Sequence, residues 1–209
     1  DSSVMERPQP TSDTAAAPFA AAGLTATLVG CGGGGSGDTS ASPAPAPAPS
    51  ASPSATEAAR FLAQATLGAP RAEISAVQAQ GYAGWLDAQF QKPRTQGHFD
   101  WLVAKGYTAD TYANNAAGMD NTLWRKFISS DDPLRQRVTF ALSELLVVSV
   151  LGVSTFYRQF AIANYLDILE ANAFGNYRTL LGEVSRSSAM GYYLTFRGNA
   201  KANASGAQP

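Results

Sequence analysis

Read for the spacing of apolar and polar positions, the chain changes character at about residue 56. Beyond it, hydrophobic side chains return every three or four residues, the period of a helix with one buried face. The longest such run is Asp132 to Leu151, DPLRQRVTFALSELLVVSVL. Leu134, Val138, Ala141, Leu142, Leu145 and Val148 make one stripe along it. Phe140, Leu146 and Val147 fall off the stripe, so the second half is apolar nearly all round, as in helices buried on several sides. Asp132 precedes a proline and is pushed out of the α region, which makes it the N-cap and Pro133 the first helical residue. The expectation is a mainly α protein, a multi-helix bundle around a central buried helix at about 132–151.

The rest of the pattern supplies that helix with neighbours. Thr56 caps a helix carrying Ala59, Phe61, Leu62 and Ala65, and Pro70 opens a second through Ile74 and Val77, closed by Gly81. Ala83 to Gln91 places Trp85, Leu86 and Phe90 on one side, and His98, Phe99, Trp101 and Leu102 suggest a fourth helix. Met119 to Ser129 carries Leu123, Trp124, Phe127 and Ile128. After a turn at Gly152, Ser154 or Thr155 caps a long helix with Ile162, Tyr165, Leu166, Leu169 and Ala173 on its inner stripe. Gly175 ends it, Asn176 caps the next through Leu180, Leu181 and Val184, and a last piece runs from Ala189 to Phe196. No window alternates with the period of a strand.

Composition separates the first quarter from this helical part. Up to Thr56 the chain is mostly Ala, Gly, Ser, Thr and Pro, a low-complexity tail that cannot form a core and is expected to be disordered. Within it, Ala15 to Val29 is weakly apolar and too short to span a membrane, but fits the apolar region of a secretory signal. It ends in Leu28-Val29-Gly30-Cys31, which resembles the bacterial lipobox: aliphatic, small, small, cysteine. That resemblance implies cleavage before Cys31, lipid attachment there and anchoring at a membrane in the cell envelope, on the periplasmic side or the cell surface. The competing reading is a tail with a chance cysteine; Glu6 and Asp13 around Arg7 weaken the signal's basic start. Residues 1–31 are therefore assigned to a lipoprotein-type signal, 32–56 to a Gly/Ser/Pro/Ala linker, and 57–209 to the α-helical domain.

Charge and motifs exclude more than they select. From Glu57 onward there are fourteen basic and twelve acidic side chains, with no dense basic stripe, so nucleic acid is not an expected partner. One Cys and one His remove most metal and disulfide chemistry, and no GxGxxG, P-loop or HExxH occurs; no cofactor or metal is expected. Arg137 and Glu144 lie seven apart on one flank of the 132–151 stripe, and Arg135 lies on its other edge. They could clamp an anionic ligand beside a carboxylate acid or base, or tie the helix to its neighbours. We read this polar cluster as structural rather than catalytic, because ion-pair networks perturb carboxylates as readily as active sites do. Asp167 and Glu170, three apart, could face a metal, but the one His lies elsewhere in sequence, and a solvated face is the preferred reading. His98 reads as a capping or packing histidine, and Trp85, Trp101 and Trp124 as core.

Several runs in one order resemble a large bacterial family, domain of unknown function 1800. They are Ala59-Arg60-Phe61-Leu62, Leu134-Arg135-Gln136-Arg137-Val138, Phe140-Ala141-Leu142-Ser143-Glu144, Asn172-Ala173-Phe174-Gly175-Asn176-Tyr177-Arg178, and Ala189-Met190-Gly191. The similarity spans about Glu57 to Pro209 and implies an exported protein matching the N-terminal portion of a longer domain. Many members carry His-Pro where this chain has Ser187-Ser188. The family brings no established reaction, so whether the chain is an enzyme stays open. The expected role is an exported, lipid-anchored envelope protein that binds or assembles with a partner there. The alternative is a hydrolase-like enzyme whose catalytic groups lie mostly further along the family domain.

Overall fold

The computed structural model describes residues 52–199. Residues 1–51, which include Cys31, the expected signal segment and most of the expected linker, lie outside them, as do residues 200–209. Among the described residues there are eight α-helices and no strand, the mainly α architecture that the spacing predicts.

The first helix, α1 (Ala55–Ala65), opens ahead of the expected Thr56 cap. Ser54 takes that place in a reciprocal capping box: its Oγ accepts the Glu57 N–H at 3.3 Å, and Glu57 Oε2 accepts the Ser54 N–H at 2.9 Å. Helix α2 (Arg71–Gln91) bends at Gly81, whose φ of 71° and ψ of 173° belong to no helix. Glycine adopts that conformation without a Cβ penalty, so the expected break at Gly81 is present as a kink between two helical halves. Then follow α3 (His98–Ala104), α4 (Met119–Ser129) and α5 (Pro133–Leu145). The chain ends in α6 (Arg158–Ala171), α7 (Tyr177–Ser185) and α8 (Ser188–Tyr193).

The centre of the bundle is α6, which corrects the expectation of a central helix at 132–151. Nine of its fourteen residues are buried, and it packs against α3, α5, α7 and α8. In α5 only Leu134, Arg135, Gln136 and Thr139 are buried, all in its first half. That helix stops at Leu145, six residues short of the expected end, and Leu145 and Leu151 are 74% and 83% exposed. Two physical causes act at this end. Val147 and Val148 are stiff at χ1 and poor helix formers. The Leu146 carbonyl is also taken by the Tyr165 hydroxyl from α6 instead of by the next helical turn.

Apolar burial forms two clusters. The larger surrounds α6, with Leu102, Phe160, Ala163, Leu169 and Leu180 fully or almost fully buried. The smaller joins α1 and α2 to the start of α5 through Leu62, Val77, Trp85 and Leu134. The α5 stripe is thus divided: Leu134 and Val138 pack into the smaller cluster, Leu142 against the larger. Trp85 is core as expected, whereas Trp124 is 61% exposed and meets Phe127 edge-on, so the core expectation fails there. Helix α6 itself starts at Arg158, after the expected Ser154 or Thr155 cap. Its entry is set by Tyr157 in the left-handed region at φ 52°, whose N–H donates to the Ala113 carbonyl at 2.7 Å.

Candidate functional site

Helix α6 carries two acids into the middle of the protein. Asp167 reaches the N-terminus of α3, where Oδ1 accepts the His98 N–H at 2.7 Å and Oδ2 the Phe99 N–H at 3.0 Å. These are backbone donors that a helix start leaves unsatisfied, so a side chain from another helix does the capping. Gly97 makes the approach possible: a Cβ there would stand 2.8 Å from Asp167 Oδ1. Burial pushes the Asp167 carboxyl above its ordinary range, while the two N–H donors pull it back. One turn on, Glu170 is fully buried, and its Oε1 accepts from the Lys126 ammonium of α4 at 2.8 Å. Lys126 is as buried as its partner and also donates to Thr95 Oγ1 at 2.7 Å.

His98 lies beside this pair with Nδ1 3.1 Å from Thr122 Oγ1. Burial pushes the imidazole down to about 3, helped by the positive charges of Lys126, Arg125 and Arg94, so it is neutral across the ordinary pH range. On the other side of Glu170, Arg135 donates to the Glu170 carbonyl at 3.4 Å and the Lys92 carbonyl at 3.2 Å, and its guanidinium lies 4.6 Å from the Phe174 ring. Its Nε stands 3.2 Å from Asp132 Oδ2, an ion pair without hydrogen-bond alignment. Asp132 is the N-cap by position only. Its Oδ1 accepts from Gln136 Nε2 at 3.1 Å and from the Ser130 hydroxyl, and caps no helical N–H.

Above the polar centre a cavity of about 350 Å³ opens between α4, α5 and α6. Its walls are mostly apolar, with Leu123, Phe127, Phe140, Val148, Ile162 and Leu166 among them. His98, Gln136, Thr139 and Tyr165 also line it, and the exposed Asp120 and Glu144 stand at its mouth. Gln136 Oε1 and Thr139 Oγ1 are buried without a hydrogen-bond partner. Such oxygens carry a desolvation cost until a donor meets them.

The residues singled out from the sequence are distributed among these places. Arg135 belongs to the polar centre, Arg137 Nε donates to the Gln64 carbonyl in the last turn of α1 at 3.3 Å, and Glu144 lines the cavity, which neither arginine does. Asp167 and Glu170 are not on a solvated face, and His98 is next to them in space: this corrects the preferred reading of that pair. Ser187 is buried and caps α8 by accepting the Met190 N–H at 3.3 Å. Cys31 lies outside the described residues. Sequence reasoning missed Lys126 and Gln136 altogether. The one available signal was two acids set among Leu166, Ile168 and Leu169 on a helix with little polar surface.

His98, Asp167 and Glu170 can bring one donor atom each within 4.8 Å of one another, close enough to consider a metal. The donors are already committed, however. Lys126 supplies Glu170 with its positive charge at 2.8 Å, and both Asp167 oxygens hold the start of α3. A cation placed there would face a buried ammonium, so the arrangement suits a lysine-neutralised core.

A family model described as protein of unknown function (DUF1800) matches residues 60–205. No curated protein and no solved structure matches the chain.

Proposed function

We propose a binding function for this chain, which belongs to the DUF1800 family of proteins of unknown function. In this reading it is an exported module of the bacterial cell envelope, held to a membrane by acyl chains on Cys31, and its cavity takes a small, largely apolar molecule. The observation that carries the reading is the cavity itself. Its volume falls at the small end of ligand pockets, about 300–1,000 Å³. Its walls are mainly apolar, and two of its lining residues hold oxygens in need of a donor. The charged groups beneath it are spent on one another: Lys126 on Glu170, Arg135 on Asp132, Asp167 on two N–H groups. Among the described residues no buried acid–base pair is left over to face the cavity, and its lining carboxylates, Asp120 and Glu144, are exposed, which favours binding over acid–base chemistry.

Among the described residues no helix is long and apolar enough to cross a membrane; the attachment proposed is at Cys31. Labelling cells with radioactive palmitate is expected to mark the wild-type protein and not Cys31→Ser. Equal incorporation in both contradicts the anchor. For the cavity, 2-phenylethanol is a suitable neutral probe with a ring for the apolar walls and a hydroxyl for the unpaired oxygens. Saturable binding is expected at about millimolar concentration or below, the range open to so small a ligand. Trp fluorescence should report it, because Phe127 on the cavity wall meets Trp124 at 6.2 Å. Ser143→Phe, which fills the cavity from α5, is expected to remove the binding; absence of saturable binding to the wild type contradicts this use of the cavity.

A further inference from the structure

The mouth of the cavity carries a sign. Among the described residues its only charged lining residues are Asp120 on α4 and Glu144 on α5, both exposed and both acidic. No Lys or Arg among the described residues lines it, and His98 at its inner side is held neutral. The inner side is also the wrong end for a cation. The Asp167 and Glu170 carboxylates beside His98 are already engaged by two N–H groups and by Lys126, and Arg125 and Arg94 add positive charge there. A ligand with one charged end would therefore enter body first, its apolar part against Phe127, Phe140 and Ile162, and leave its charge at the mouth.

From this charge placement, which builds on the binding role proposed above, we infer that the natural ligand class is compact apolar amines, with the protonated nitrogen held between Asp120 and Glu144. A carboxylate on the same body is disfavoured twice. It meets two like charges at the mouth, and it loses hydration if it turns inward. An alcohol on the same body is neutral to both. The carboxylates are exposed, so each contributes modestly, and salt screens them. Together they correspond to a preference of about fivefold for ammonium over alcohol at low salt.

The experiment compares three probes sharing one ring, 2-phenylethylammonium, 2-phenylethanol and 3-phenylpropionate, titrated into the full 209-residue chain at low salt. The expected order of affinity is ammonium, alcohol, carboxylate, and Glu144→Gln is expected to close most of the gap between the first two. Equal affinity for all three, or tightest binding of the carboxylate, overturns the amine inference and leaves the cavity as a binding site. A preference that persists undiminished in Glu144→Gln also overturns it, since recognition then lies elsewhere. If none of the three binds, the binding role fails along with the inference.

Discussion

Lys126→Met is expected to destabilise the protein by about 3–5 kcal/mol, enough to threaten a domain of this size. The reason is what the substitution leaves behind. Glu170 is fully buried, its Oε2 has no hydrogen-bond partner, and the Lys126 ammonium at 2.8 Å is its close counter-charge. Arg94 approaches only to 3.8 Å and is one-third exposed, too distant and too hydrated to take over. The double variant Lys126→Met, Glu170→Leu is expected to recover most of the loss, because a buried ion pair exchanged for apolar groups of similar size is commonly neutral or better. Urea unfolding of wild type, both single variants and the double variant measures this. A loss below about 0.5 kcal/mol in Lys126→Met, the range of ordinary surface substitutions, contradicts the buried pair.

The second large effect is a loss of stability on acidification. The His98 imidazole is lowered from 6.5 to about 3 in the folded protein, first by burial and then by neighbouring cations. Below pH about 6.5 the unfolded chain takes up a proton that the folded chain refuses. The unfolded state then binds more protons, so stability falls as pH falls, through a window from about 6.5 to about 3. Fully developed, the loss is on the order of 4–5 kcal/mol. Asp167 works against it in the lower part of the window. Burial raises its carboxyl, so the folded state takes that proton first and gains stability as pH drops through the carboxylate range. The His98 slope should thus be clearest between pH 6.5 and 5. His98→Asn is expected to flatten it there, whatever its stability at pH 7; an unchanged slope contradicts the assignment.

What could be read from the sequence was local. Asn176 as a cap, Gly81 as a break and Pro133 as a helix start each depend on a few neighbouring residues, and each is present. The choice of central helix was not local. Periodicity reports that a helix has an apolar face, not which neighbours meet it, and the greasiest run, from Leu145 to Val150, lies partly at the surface. Helix α6 was underrated because Asp167 and Glu170 look like solvent positions. Their partners, His98, Phe99 and Lys126, come from elements 44 or more residues away in sequence. The same limit applies to the polar cluster on α5. Arg135, Arg137 and Glu144 share a helix, but they serve the polar centre, the α1 end and the cavity mouth in turn.

The buried, charge-paired polar centre under the cavity is the claim on which the binding role rests, and His98 is its built-in reporter. The sequence contains one histidine, so its imidazole nitrogen and ring-proton resonances can be followed by NMR against pH without ambiguity. The account predicts a neutral ring with no titration between pH 8 and 5, the first change coming near pH 3 or with unfolding. A histidine that protonates with a midpoint near its ordinary 6.5 in the folded protein would show an open, hydrated site and contradict the account.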